Sequence, residues 1–347
     1  MIIIIYLEFI QGIENIMIGQ ILINKYKILS EIGEGGMSSV FLAEHVMLKR
    51  KYAVKMLADH LIKTPGFQER FLKEGLAQAQ LKHDSIVQVI DYIEEGGKTF
   101  LLMDYIEGEC LDKLIYRKGK LLESECIQIM TDILDALNFA HMNGVIHRDI
   151  KPSNIIVSNN GRSMLMDFGI AIMMGDKRMT KTGTNIGTSY YMSPEQVSRP
   201  LEIDHRSDVY SMGIVLYEML TGEVPFDGET DYEIKDSHVR KPVVPLIEIN
   251  SSISMEMNHI VLKALEKNPD ERYNGCGEFL SYIKILANEE PEGSDTMKSK
   301  KEAQYGSEDH EISLTGENGP SIAYALASTL IVVFISTFCY ILYLVSN

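Results

Sequence analysis

The run His147-Arg148-Asp149-Ile150-Lys151-Pro152-Ser153-Asn154, followed shortly by Asp167-Phe168-Gly169, carries the most specific chemical signal in the chain. Asp149 can orient an attacking hydroxyl and accept its proton, while Asn154 and Asp167 offer the hard oxygens that Mg2+ or Mn2+ demands. Lys151 places a cation where charge would build on a transferring phosphoryl group. A polar loop kept only for structure has no reason to hold a base, two metal ligands and a cation in this order.

Upstream, Ile32 precedes Gly33-Glu34-Gly35-Gly36-Met37-Ser38-Ser39-Val40, in which glycines let backbone amides approach a polyphosphate without side-chain clash. Alone this is an ordinary glycine turn, the more so because Ser38 stands where a third glycine is usual. Tyr52-Ala53-Val54-Lys55 then reads as a strand ending in a lysine that can hold the α- and β-phosphates. On the helical stretch 67–81, Glu74 is the preferred residue to fix Lys55 and Glu69 the rival. Gly75, beside Glu74, is expected to loosen that helix by up to ~1 kcal/mol, so the helix needs help to dock.

These groups need a scaffold with a cleft. Of the 347 residues 45% are hydrophobic, enough for a substantial core. From Tyr26 to Met103, β-branched and aromatic runs between glycines read as strands, with one helix at 67–81. From Leu111 to Leu286 the pattern turns to longer helices, among them 126–142, 208–220 and 255–265. The expected fold is α+β, a small β-rich unit followed by a larger helical one.

The formal charge of −16 and the lack of a basic patch argue against nucleic acid as a partner. Cys110, Cys126, Cys276 and Cys339 form no CxxC pair and fit a reducing compartment. Residues 1–25 read as an N-terminal leader without the marks of a signal peptide, and Met17 offers an alternative start. Residues 287–321 read as an acidic linker. The uncharged run 322–345, roughly 36 Å long as a helix, is expected to span a bilayer once, with the preceding domain on the cytoplasmic side of the cell membrane.

Taken with Met192-Ser193-Pro194-Glu195, Asp208-Val209-Tyr210-Ser211-Met212-Gly213 and Arg272, these motifs make residues 26–286 resemble the Hanks-type Ser/Thr protein kinases, most of all the bacterial membrane-anchored PASTA-repeat receptor group. The resemblance implies a bilobal fold, N-lobe 26–103 and C-lobe 107–286, with ATP between the lobes. Met103 would lead into a hinge at Asp104-Tyr105-Ile106, and Val40, Ala53 and Ile156 would enclose adenine. Lys151 implies Ser or Thr as acceptor, and Thr188 would bond Asp149 and Lys151. Glu195 and Arg272 would form a buried ion pair, and Asp208 would brace the His147-Arg148 backbone.

Thr180, Thr182 and Thr184, set among Lys177, Arg178 and Lys181, are candidate autophosphorylation sites, with Arg148 as the guanidinium partner for a phosphate. The expected partners are protein substrates, a second copy of the chain and the membrane. The sequence departs from the receptor group in lacking its extracellular repeats, which leaves two readings: input through the helix, the N-lobe or a partner protein, or a chain truncated from a longer product. A different class of function, a catalytically weak pseudokinase scaffold, is motivated by Ser38 and Gly75.

Overall fold

A computed structural model describes residues 17–168 and 189–289. All belong to the first of the chain's two compact units, Met1–Pro291. Gly169, Thr180, Thr182, Thr184, Thr188, residues 290–321 of the expected acidic linker and the 322–345 run fall outside the described residues.

The smaller lobe is one antiparallel sheet. Its strands are β1 (Ile21–Leu22), β2 (Tyr26–Glu34), β3 (Ser38–His45), β4 (Lys51–Leu57), β5 (Val89–Glu95) and β6 (Lys98–Asp104), in the spatial order β1-β2-β3-β4-β6-β5. In β2, Tyr26 and Ile28 turn inward and their neighbours outward, the alternation of a strand with one wet face. Nearly all of β4 is buried, because it lies in the middle of the sheet with one face under a helix.

The sheet begins before Tyr26. Met17 and Leu22 join Tyr26, Tyr52 and Phe100 in one apolar cluster, which gives residues 17–25 a reason to fold onto β2.

Between β4 and β5 stand a single turn, α1 (Asp59–Ile62), and α2 (Phe67–Gln80). α2 presents Phe71, Glu74, Gly75 and Gln78 to the sheet. A side chain added at Gly75 would run into Leu101 Cδ2. The glycine read from sequence as loosening the helix therefore also lets the helix lie close against β6.

The larger lobe opens with β7 (Gly108–Cys110), α3 (Leu111–Lys118) and α4 (Glu123–Met142). β8 (Ile155–Ser158) and β9 (Ser163–Leu165) complete a second sheet with β7. Then come α5 (Pro194–Ser198), α6 (Arg206–Thr221), α7 (Asp231–Arg240), α8 (Leu246–Ile249), α9 (Met255–Ala264) and α10 (Cys276–Glu289). α6 is buried on nearly every side, from Ser207 through Tyr217, and forms the axis of the apolar core with α4. Ser193 caps α5 through its hydroxyl, and Gln196 returns the bond to the Ser193 N–H. Among the described residues no helix is long and apolar enough to cross a membrane.

Candidate active site

Asp208, fully buried at the start of α6, organises the loop that carries Asp149. Its Oδ2 accepts the His147 N–H at 2.8 Å and its Oδ1 the Arg148 N–H at 2.9 Å. His141 Nε2 lies 2.7 Å from Oδ2. Burial alone would raise the Asp208 pKa, but the bond from His141 and the loop amides hold it below the usual carboxylate range. Arg148 sits at φ +68°, a left-handed backbone that costs roughly 1–3 kcal/mol for a residue with a Cβ and persists where surrounding bonds impose it. A further restraint that the sequence reading missed is Gln196, whose Nε2 donates to the Arg148 carbonyl at 2.8 Å.

The loop converges its polar groups. Lys151 Nζ is 2.9 Å from Asp149 Oδ2, and Asn154 Nδ2 donates to the Asp149 carbonyl at 2.7 Å. That bond engages the nitrogen arm of the buried Asn154 amide, so its oxygen forms the opposite arm of the same planar group. Met166 N donates to the Asn154 carbonyl at 3.0 Å, tying Asn154 to the strand end that leads into Asp167. His147, whose pKa is lowered by burial, packs its ring 4.7 Å from that of Phe168.

From the other lobe, Lys55 Nζ reaches Glu74 Oε1 at 3.0 Å and Asp167 Oδ1 at 2.9 Å. Burial acts to lower the lysine's pKa, yet the Asp167 and Glu74 carboxylates together carry it above the ordinary value. Glu74 is raised, first by burial and then by Asp167, against the pull of Lys55. Glu69 points elsewhere and pairs with Lys73 at 2.7 Å on the exposed face. The fold thus brings Glu74, and not Glu69, to Lys55.

The glycine-rich segment is the β2–β3 hairpin. Gly33 stands opposite Val40 and Glu34 opposite Ser39, and Gly35 N donates to the Ser38 carbonyl at 2.9 Å. Neither Gly33 nor Gly35 has a positive φ, and a Cβ on either would meet only ordinary contacts. Neither glycine is thus demanded by the hairpin's own conformation or packing. Ser38 is a ladder residue opposite Leu57, a place where serine is at ease. Ile32 and Met37 are exposed near the hairpin tip.

Behind the hairpin, Val40, Ala53, Met103 and Ile106 share an apolar cluster with Met164 and Met166. Ile156 lies in β8 between Cys110 and Met164. The two methionines escaped the sequence reading, although Met166 immediately precedes Asp167 and so offered a positional signal. Asp104 is turned outward, bound to Arg50 at 2.6 Å, with its N–H donated to the Gln88 carbonyl.

Below the site, Arg272 meets Glu195 through two 2.8 Å bonds, with both side chains almost wholly buried. Ser207 donates to the same carboxylate, and carbonyls of Glu266, Arg206 and Lys267 take the remaining guanidinium hydrogens. Burial opposes ionisation of Glu195, but the bonds from Arg272 win and lower its pKa.

Among the described residues no group of three or more His, Cys, Asp or Glu side chains could cage a metal ion. Asn154 and Asp167 are two hard-oxygen donors, the set suited to an ion that keeps water and phosphate oxygens as its other ligands.

A β-rich lobe and a helical lobe, joined at a lysine bridging two carboxylates above an Asp-Lys-Asn loop, define a protein kinase. The chain belongs to the protein kinase domain family, which matches residues 26–282. It is 39% identical over 272 residues to a probable serine/threonine-protein kinase of Clostridium acetobutylicum, covering 78% of this chain and 41% of that protein. It is 41% identical over 275 residues to the serine/threonine-protein kinase PknB of Mycobacterium leprae, covering 78% of this chain and 44% of that one. The chain thus spans less than half the length of these relatives. The crystal structure of the PknI kinase domain of Mycobacterium tuberculosis superposes with a TM-score of 0.61 at 25% identity, covering 78% of this chain and 98% of that one.

Proposed function

We propose that this chain is an ATP- and Mg2+-dependent Ser/Thr protein kinase that phosphorylates proteins, itself first, while tethered to the cell membrane with its catalytic domain in the cytoplasm. The observation that carries the reading is Lys55 held at once by Glu74 and Asp167, which joins the two lobes at the one place where ATP phosphates would lie.

In this reading Lys55 binds the α- and β-phosphates, and the open backbone of Gly33 to Val40 covers them. Val40, Ala53, Ile106, Ile156 and Met166 wall the adenine. Asp149 holds the acceptor hydroxyl and takes its proton, with Asn154 and Lys151 fixing the carboxylate. Lys151 also offsets charge on the transferring group. Mg2+, held by Asn154 and Asp167, supplies positive charge to the phosphate oxygens. The kinase names of the relatives and Lys151 favour Ser or Thr as acceptor.

Activation by phosphate on Thr180 and Thr182, with Thr184 as a third candidate, is supported by Arg148. Among the described residues its buried Nε has no hydrogen-bond partner, and an incoming phosphate would supply one. Membrane tethering rests on the uncharged run 322–345.

The test is autophosphorylation of the chain with ATP and Mg2+, beside Asp149→Asn. Phosphothreonine at 180–184 that disappears in the variant supports the reading. Silence from the unaltered protein despite ATP binding would favour a scaffold instead. Unchanged activity in the double variant Thr180→Ala, Thr182→Ala would remove the activation step alone.

A further inference from the structure

Glu107, the last residue before β7, is gripped from both lobes. Its carbonyl accepts the N–H of Asn159, just beyond β8, at 2.9 Å. Its carboxylate accepts from Lys51 Nζ, the first residue of β4, at 2.8 Å. The two grips differ in stiffness. The next residue, Gly108, lies so near the Val157 backbone that an added Cβ would collide with it, so β7 and its neighbour Glu107 are seated firmly on β8. The grip on the small lobe is a single ion pair.

The β4 end is itself built to meet the connecting segment. Tyr52 stands opposite Asp104 in the sheet, so Arg50 and Lys51 emerge beside residues 104–107. Arg50 binds Asp104 at 2.6 Å, and the Lys51 ammonium lies 5.7 Å over the Tyr105 ring. With the Glu107 backbone fixed to the large lobe, any rotation of the small lobe about this segment must lengthen or shorten the Lys51–Glu107 contact. In agreement with a formed pair, the Lys51 pKa is raised and the Glu107 pKa lowered, each chiefly by the hydrogen bond between them.

We infer that Lys51 and Glu107 form a charge latch across the inter-lobe connection, holding residues 104–106 and the two lobes at the spacing that ATP requires. Both are positioning residues that act through the hinge backbone. The inference rests on the kinase reading above. With side chains 49% and 61% exposed, the latch is weak, adjustable and open to salt.

The experiment uses the full chain carrying Lys51→Met, Glu107→Gln, or the exchange Lys51→Glu with Glu107→Lys. A fluorescent ATP analogue is titrated on the Asp149→Asn background, so that affinity is read apart from chemistry. KM for ATP, kcat and melting temperature are measured on otherwise unaltered protein. Each single change is expected to weaken nucleotide binding about two- to fivefold with kcat and melting temperature held. The exchange restores affinity, and the differences vanish at about 1 M salt, where the Debye length falls to about 3 Å. Unchanged affinity in the single variants overturns the latch, as does an exchange no better than the singles or a loss that persists at high salt. If the unaltered chain binds no analogue, the kinase reading falls and the latch with it.

Discussion

Glu195 and Arg272, far apart in sequence, face each other through two parallel 2.8 Å bonds in a site almost closed to water. Neither touches the cleft, yet together they hold α5 against the start of α6, from which Asp208 reaches up to the Asp149 loop. A buried pair of this kind costs desolvation to form and is most costly when half of it is removed.

Glu195→Ala or Arg272→Ala is therefore expected to lower stability by about 3–5 kcal/mol, because either leaves a buried charge alone. Arg272→Lys should recover only part of it, since lysine cannot satisfy two carboxylate oxygens and three carbonyls at once. Urea titration of the three variants is the check, and wild-type stability in Arg272→Lys would show that the forked geometry is unimportant.

Lys55→Met should abolish phosphoryl transfer while leaving the fold intact, and Glu74→Gln should lower kcat/KM with a smaller effect. The reason is that Asp167 still holds one side of the lysine when Glu74 loses its charge. Equal losses in the two variants would mean that Glu74 does more than aim Lys55.

Gly75→Val should push α2 off β6 and weaken the Lys55–Glu74 contact, read as lost ATP affinity and lost kcat. Leu101→Ala in the same molecule opens the space that the new side chain needs. Restoration in the double variant is the expected result. A double variant as poor as Gly75→Val would mean that steric spacing is not the cause.

Stability should fall on acidification well before ordinary carboxylates titrate. Burial, aided by nearby Lys267, pushes the His238 pKa down to about 3, against about 6.5 when unfolded. Its ring also faces the Tyr210 hydroxyl at 3.0 Å and the Phe226 ring. The neutral form belongs to the folded state, so this contribution is present above pH ~6.5 and declines as pH falls toward 3. Glu195 and Asp208, both lowered, keep theirs until pH falls into the usual carboxylate range and lose it from there downward. Urea midpoints between pH 7 and 5 should drop for the unaltered protein and flatten in His238→Asn. Parallel curves would assign the slope to other groups.

The candidate site's Asp149–Asn154 loop could be picked out from the residues alone because phosphoryl transfer requires a base, a cation and hard oxygens at short spacing, and few other uses need that order. The strand-rich and helix-rich halves were legible too, since apolar periodicity reports one buried face per element. Helix 67–81 could be placed in this way, but not its rotation. Glu69 and Glu74 lie about 140° apart around it, and only docking on β6 turns one to Lys55 and the other to water. Ser38 and Gly75 looked like defects until the ladder to Leu57 and the contact with Leu101 gave each a place. Glu107 carried no signal at all. Its meaning comes from Lys51 on one side and Asn159 on the other, partners that chain order keeps 56 and 52 positions away and that folding brings within 3 Å. Local chemistry is written in neighbouring residues, whereas the choice among equivalent side chains is made by contacts between elements that no local pattern records.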